Sequence, residues 1–320
     1  MKNFKYIQPK SLSEVKKYFS DNHSVLYAGG TDVLGLVKKE VYNYENMIDL
    51  KSVPDLDKVE EVKGKGLKIG ALVKISEIAE SEIIKNKYTA LSDAAQKVAS
   101  PQIRNMATLG GNICQRPRCW YYRDDYACLR KDGDYCYAEE GENKYHAVIG
   151  GSPCFIVHPS DTAVALMALD AVFNIFDGNA EREVPISEFF VQPDEDVYLE
   201  NILKPYEVLT SVFIPEQKNK VSRFIKFAER DVWDFAMASV AVKVEKNGNK
   251  ITGGKIILGG VAPIPWYDEK INKGISGLTL DEKSIDEFSK LALQDAEPLS
   301  KNGYKITLAR NLIKMILSEI

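Results

Sequence analysis

The chain has 320 residues, 45% of them hydrophobic and 28% charged, with a formal net charge of −4. That length allows two or three domains with a sizeable core, and the slight acidity gives no electrostatic case for nucleic acid or an acidic membrane surface. No apolar run is long enough to span a bilayer, and the opening MKNFKYIQPKSLSEVKKYF lacks a signal-peptide core. The expectation is a cytoplasmic protein.

In chain order, Phe4 to Ile7 reads as a short edge strand, and Ser11 with Glu14 as a capping box for a helix to about Phe19. Ser24 to Tyr27 reads as a buried strand running into Ala28, Gly29, Gly30, Thr31 and Asp32, then apolar Val33, Leu34 and Leu36. Paired glycines between a strand and a helix-like segment turn backbone amides toward a ligand with no side chain in the way, and can cradle a diphosphate. The alternative is a tight connection and nothing more. The spacing matches neither the GxGxxG fingerprint nor a Walker loop. Strands at 47–50, 58–62 and 67–69, with helices at 75–79 and 90–99, predict an α+β domain with a mixed sheet. Pro101 is expected to stop helix continuation. A second glycine pair follows, Gly110 and Gly111, flanked by Thr108 and Asn112, whose side chains can hydrogen-bond a ligand.

All five cysteines (Cys114, Cys119, Cys128, Cys136 and Cys154) lie between Ala107 and Asp161, and from about Gln115 to Ala147 there is no helix or strand periodicity. A structureless insert of that length needs something other than an apolar core to hold it, and clustered thiols in a reducing compartment point to metal or redox chemistry. Structural zinc is one possibility, but its ligands usually sit two to four residues apart. Only Cys114 and Cys119 approach that spacing, with His146 or His158 available to replace a thiolate. The simpler role for His146 is packing, and for Trp120, Tyr121 and Tyr122 the exclusion of water beside Cys119. The insert's charged residues read as a solvated face.

Beyond the insert, Thr162 to Leu169 reads as a buried helix that Asp161 could N-cap, 171–176 as a strand, and Pro185 as the start of a short helical segment. A polar stretch from Gln217 to Lys220 marks a domain boundary. The remainder predicts strands at 224–228, 238–245 and 250–258, turned at Asn247 and Gly248, then helices at 284–296 and 306–317. Trp233 and Met237 read as core.

LYAGGTDVLG from Leu26 and ATLGGN from Ala107, with VLTSVFIP (208–215) and FIKF (224–227), resemble the flavin subunits of the molybdenum hydroxylases, the xanthine dehydrogenase and aldehyde oxidoreductase family. The resemblance covers essentially the whole chain. It implies an α+β fold: a two-lobed FAD-binding domain of the PCMH type over 1–217, carrying an insert at about 113–157, and a smaller α+β C-terminal flavoprotein domain over 218–320. It also implies FAD on Leu26, Ala28, Gly29, Gly30, Thr31, Asp32 and Val33 of the first loop and on Thr108, Gly110, Gly111 and Asn112 of the second. Asp161 would meet the ribityl chain or ring, and Leu209 and Lys226 the isoalloxazine; singly, Lys226 could equally be a solvated strand residue.

The insert departs from the family's commonest form and resembles a subgroup carrying an extra 4Fe-4S cluster, whose first ligand lies in an arginine-cysteine pair matching Arg118 and Cys119. Cys119, Cys128, Cys136 and Cys154 would then be the ligands, with Cys114 spare. The implied role is electron transfer in a complex with a molybdopterin-containing large subunit and a small 2Fe-2S subunit, as a heterotrimer or dimer of heterotrimers. An external carrier such as ferredoxin or NAD would complete the circuit. The alternative is a free-standing FAD-dependent oxidase with a zinc-stabilised insert.

Overall fold

A computed structural model describes residues 1–19 and 23–320. Among these, the strands form three sheets around which the helices pack. At the N-terminus β1 (Lys5–Ile7), β2 (Ser24–Tyr27) and β3 (Asn46–Asp49) make a small parallel sheet in the order β1-β3-β2. β2 is the strand expected before the first glycine loop, so that loop leaves the C-terminal end of a parallel sheet and enters the helix Val33–Lys38. Loops at this end of parallel strands are the usual place for ligands in α/β sheets.

The second sheet is antiparallel and five-stranded, in the order β4 (Val59–Val62), β5 (Gly66–Gly70), β8 (Val208–Pro215), β6 (Val172–Phe176), β7 (Glu181–Pro185). β8 lies in its centre, as its nearly unbroken burial requires. Helices Ile75–Glu80, Thr89–Gln96 and Asp161–Ala168 cover one face, forming with Leu67, Ile69, Phe173, Ile175, Val212 and Ile214 the largest apolar core. Helix Asp161–Ala168 is buried at every position, which explains its alanine-rich composition. The third sheet, β9 (Val221–Phe227), β10 (Ala238–Asn247) and β11 (Lys250–Gly259), is an antiparallel meander. Its own core includes the C-terminal helix Tyr304–Ser318. No helix among the described residues is long and apolar enough to cross a membrane.

Several local expectations need correction. The helix before Pro101 does stop short of it, at Gln96 rather than Ala99, and Pro101 is the first residue of a new turn, Pro101–Arg104, capped by the Ser100 hydroxyl, the position where a missing N–H costs nothing. The helix capped by Asp161 is in fact capped by Ser160, whose hydroxyl accepts from the Ala163 N–H at 3.0 Å. At the first helix Glu14 does reach back, but to the Lys10 N–H, and Ser11 makes no side-chain cap. β7 and the helices Glu82–Lys87 and Glu269–Gly274 were not expected. Each is charged enough to hide its apolar period. Trp233 is not core: it is 59% exposed, with φ of +68°.

The insert is as irregular as its sequence implies, with one helical turn at Trp120–Arg123 and one at Leu129–Lys131. Buried polar anchors order it. Arg116 donates to Glu200 (2.7 Å), to the Tyr122 hydroxyl (2.8 Å) and to the Tyr42 hydroxyl (2.6 Å). Arg130 pairs with the other oxygen of Glu200. From the C-terminal domain, the Asn143 amide oxygen accepts from the Lys301 N–H, Asn302 donates to the carbonyls of His146 and Ala147, and Lys305 donates to that of Tyr145.

Candidate flavin cleft and thiol cavity

The two glycine loops meet. A Cβ on Gly29 would stand 2.0 Å from the carbonyl oxygen of Met106, so only glycine lets the first loop lie flat against the backbone leading into the second. Gly30 turns the chain with φ of +72°. In the second loop Thr108 caps the short helix Leu109–Ile113 by accepting from the Gly111 N–H at 3.2 Å. Gly110 serves packing: its N–H donates to the Ala71 carbonyl at 2.8 Å, and a Cβ there would meet the Ala71 side chain at 2.9 Å. The Asn112 amide oxygen accepts from the hydroxyls of Ser160 (2.6 Å) and Thr162 (2.7 Å), joining this loop to the VHPSD segment.

A cleft opens along this seam. Thr31, Asp32, Gly111, Asn112, Asp161 and Lys226 all line it, with Val98, Ala99, Ile103 and Ala107 giving it an apolar wall and Trp233, Asp234 and Phe235 its other side. Six of the residues singled out in the sequence therefore come to one place from four separate segments. Leu26, Ala28, Gly29, Gly30, Val33, Thr108 and Gly110 belong to the same two loops but do not line it. Leu209 lies at 5% exposure in the core of the five-stranded sheet and does not line the cleft.

Asp161 and Lys226 form an ion pair of 2.7 Å, with side chains 6% and 5% exposed. Lys226 is thus not a solvated strand residue. It also donates to the carbonyls of Asp234 (2.8 Å) and Lys97 (3.1 Å). Burial pushes the Asp161 carboxyl above the usual range, and Lys226 opposes that shift. Asp32 is the second charged node, accepting from the Arg116 N–H (2.8 Å) and pairing with Arg123 (2.6 Å) and Arg118 (3.0 Å). Arg118 lies over the Phe235 ring, and its Nε finds no hydrogen-bond partner among the described residues. A buried donor left unpaired on a cleft wall suits an acceptor-rich ligand. Arg118, Trp233 and Phe235 were not assigned to this cleft from sequence; the arginine-cysteine pair pointed only to Cys119.

Behind the cleft lies a second cavity. Cys119, Cys128, Cys136 and Cys154 line it together with Tyr121, Tyr122, Arg130 and Tyr137, although 35 positions separate the first thiol from the last. Cys154 beside Cys136 draws the Cys136 pKa down and favours its thiolate. His146 Nε2 is 3.2 Å from the Cys119 sulfur, and burial draws that imidazole's pKa down to about 4, so it is neutral at pH 7. Tyr122 is fully buried and Tyr121 packs on His146, whereas Trp120 is 36% exposed. The first two therefore exclude water more completely than Trp120 does. Cys114 belongs to the apolar core around the five-stranded sheet and does not line the cavity. Among the described residues no three or more His, Cys, Asp or Glu side chains converge as a site for a single metal ion; the four thiols surround a space.

Residues 2–217 match the family described as the FAD binding domain in molybdopterin dehydrogenase, and residues 223–320 the CO dehydrogenase flavoprotein C-terminal domain. The chain is 34% identical over 296 residues to the aldehyde oxidoreductase FAD-binding subunit PaoB of Escherichia coli K12, covering 91% of this chain and 90% of that one. It is 25% identical to the xanthine dehydrogenase FAD-binding subunit of Escherichia coli O157:H7, covering 98% and 94%. Among solved structures, carbon monoxide dehydrogenase from Hydrogenophaga pseudoflava superposes with a TM-score of 0.77 at 23% identity, covering 98% of this chain and 96% of that one. Quinoline 2-oxidoreductase from Pseudomonas putida 86 does so with a TM-score of 0.78 at 22% identity, covering 100% and 98%. These two likenesses carry the fold, an FAD-binding domain followed by the C-terminal flavoprotein domain. The chain belongs to the FAD-binding medium subunits of the molybdenum hydroxylases, an oxidoreductase family.

Proposed function

We propose that this subunit carries electrons between FAD in the cleft and a 4Fe-4S cluster in the thiol cavity, within a complex that contains a molybdopterin large subunit and a small 2Fe-2S subunit. The observation that carries the reading is the Arg118–Cys119 peptide: Arg118 lines the cleft, and the next residue, Cys119, lines the cavity of the four thiols. The two sites are thus adjacent along one short piece of chain.

The residues present fit both groups. Thr31 and Asp32 of the first loop and Gly111 and Asn112 of the second would face the flavin across the cleft, with Gly29 and Gly30 setting the path of the first loop and Leu26, Ala28, Val33, Thr108 and Gly110 completing the two loops. Asp161 supplies an acceptor for ribityl hydroxyls, held in place by Lys226. Leu209 acts only through the strand beneath. For the cluster, Cys119, Cys128, Cys136 and Cys154 supply the four thiolates a cubane needs, and Tyr121 and Tyr122 keep water from it. FAD, when bound, exchanges electrons in ones and twos, and so can join one-electron iron-sulfur carriers to an external partner such as ferredoxin or NAD.

The same proposal divides the chain into a FAD-binding domain over 1–217, its cysteine-rich insert at about 113–157, and a C-terminal domain over 218–320. The change from the five-stranded sheet to the separate meander, between β8 and β9, supports that division. A reducing cytoplasmic setting would keep these thiols available for iron. The test is anaerobic purification with flavin, iron, sulfide and zinc measured on one sample. One FAD with about four iron and four sulfide per chain, the content of one cubane, is the expected result. FAD with one zinc and no iron would overturn the cluster half of the reading.

A further inference from the structure

Arg130 is the buried group that the electron-transfer role leaves unexplained. It is 3% exposed, it lines the thiol cavity beside Cys128, Cys136 and Cys154, and it sits in the middle of the turn Leu129–Lys131 that follows Cys128. One of its terminal nitrogens, Nη2, pairs with Glu200. Its Nε and Nη1 find no hydrogen-bond partner among the described residues. Glu200 is itself 6% exposed and is held on its other oxygen by Arg116 at 2.7 Å. The carboxylate is therefore shared between two guanidinium groups, and the trio carries a net charge of about +1 when all three groups are ionised. Leaving two buried donors of a charged fork unpaired is costly, and in a native site it signals an acceptor that belongs there.

We infer that Arg130 is a potential-setting residue of the thiol cavity, whose Nε and Nη1 donate to the sulfur atoms of a cluster held there while Glu200 fixes the plane of the guanidinium. The inference rests on the reading that the cavity holds a cluster. Its physical basis is simple. Taking up one electron adds one negative charge to the cavity, and a fixed cation with donors aimed at sulfur stabilises that added charge. A donor set already anchored by Glu200 needs no rearrangement when the charge changes. The Arg116–Glu200–Arg130 chain also ties the cavity to the Asp32 node, because the backbone N–H of Arg116 donates to Asp32 on the cleft wall. The charge environments of the two sites thus share one rigid network.

The test is a potentiometric titration of the anaerobically purified full chain, followed by the electron paramagnetic resonance of the reduced cluster, with the flavin midpoint read from absorbance on the same sample. Arg130→Met keeps the length of the side chain and removes both charge and donors. Its cluster midpoint should fall by at least about 59 mV, a tenfold change in a one-electron equilibrium, while the flavin midpoint moves less. Arg130→Lys keeps the charge without the fork and should fall between the two. Glu200→Gln leaves Arg130 in place, lightens the negative charge beside it, and should move the midpoint upward. A wild-type chain that binds no iron would overturn both this inference and the cluster reading. A wild-type chain with a full cluster whose midpoint is unmoved in Arg130→Met would overturn this inference alone. If Arg130→Met loads no iron, the decision passes to Arg130→Lys and Glu200→Gln, and unmoved midpoints in those two would overturn it.

Discussion

Replacing Lys226 by methionine isolates what the buried ion pair does. Asp161 is the first residue of a fully buried helix and Lys226 its partner at 2.7 Å, with only 6% and 5% of their side chains exposed. Removing one member of such a pair leaves an uncompensated buried charge and costs about 3–5 kcal/mol. Here the upper part of that range is expected, because the carbonyls of Lys97 and Asp234 lose their donor too. The loss must depend on pH. Burial already raises the Asp161 pKa with Lys226 present, and deleting the opposing cation raises it further. A carboxyl whose folded pKa exceeds the unfolded value of about 3.9 binds more protons in the native state, so its contribution to stability falls as pH rises from that value through the folded pKa. In Lys226→Met this decline should be steeper and extend to higher pH than in the wild type. The loss should be smallest at acid pH, where only the carbonyls of Lys97 and Asp234 lack their donor, and largest at pH 8, where the unpaired carboxylate adds to it. Urea denaturation of the flavin-free protein at several pH values, followed by circular dichroism, reads this directly. The double variant Asp161→Asn with Lys226→Met should recover much of the loss and abolish its pH dependence. A loss independent of pH, or one under about 0.5 kcal/mol at pH 8, which is the size of an ordinary surface change, would refute the reasoning.

Gly29→Ala places a methyl 2.0 Å from the Met106 oxygen and should cost about 1–3 kcal/mol and lower FAD content, as overpacking does. Gly253→Ala, where a Cβ meets nothing within 4 Å, should leave melting temperature and flavin content unchanged. Cys128→Ala should abolish the cluster and keep the flavin, whereas Cys114→Ala should leave the iron count at its wild-type value; full iron in the first variant would rule out the ligand set. Lys305 is fully buried, donates to the carbonyls of Tyr145 and Gly260, and has its pKa lowered to about 7 by burial. A lysine with a depressed folded pKa binds fewer protons in the native state, so stability should rise between about pH 7 and its unfolded pKa of about 10.4. Lys305→Met should lose that rise in thermal melts across the window.

The strands with uninterrupted apolar patterns could be read from sequence: β2 falls where the residues place it, and the meander turns at Asn247 and Gly248 as expected. The 208–215 segment resembles the start of the C-terminal domain in sequence, but as β8 it is the central strand of the five-stranded sheet. Elements whose exposed face is highly charged, such as β7 with Val184 its one buried residue, gave no period to read. The glycine loops were visible because glycine pairs are informative wherever backbones must touch. Their division of labour was not, since whether Gly110 faces a ligand or Ala71 depends on a strand 40 positions earlier. The same holds for Trp233. Its place on the cleft wall comes from a positive-φ turn in Arg230–Phe235, held by its own N–H on the Ala99 carbonyl at 2.9 Å, and no hydrophobicity scale reports that.

The insert shows why cysteine spacing alone understates such a site. Thiols at positions 119, 128, 136 and 154 can meet only if the chain between them is fixed without a core of its own. Two carboxylates outside the insert fix it: Asp32 takes Arg116, Arg118 and Arg123, and Glu200 takes Arg116 and Arg130. The mixed charge that reads as a solvated face is therefore divided. The arginines before and after Cys119 turn inward to these two acceptors, while Asp124, Asp125 and Glu139 remain exposed. Because Asp32 also closes the first glycine loop, the arrangement that orders the cavity orders the cleft as well. A change at Asp32 should therefore disturb flavin and thiol sites together, whereas a change at Glu200 should act first on the thiols.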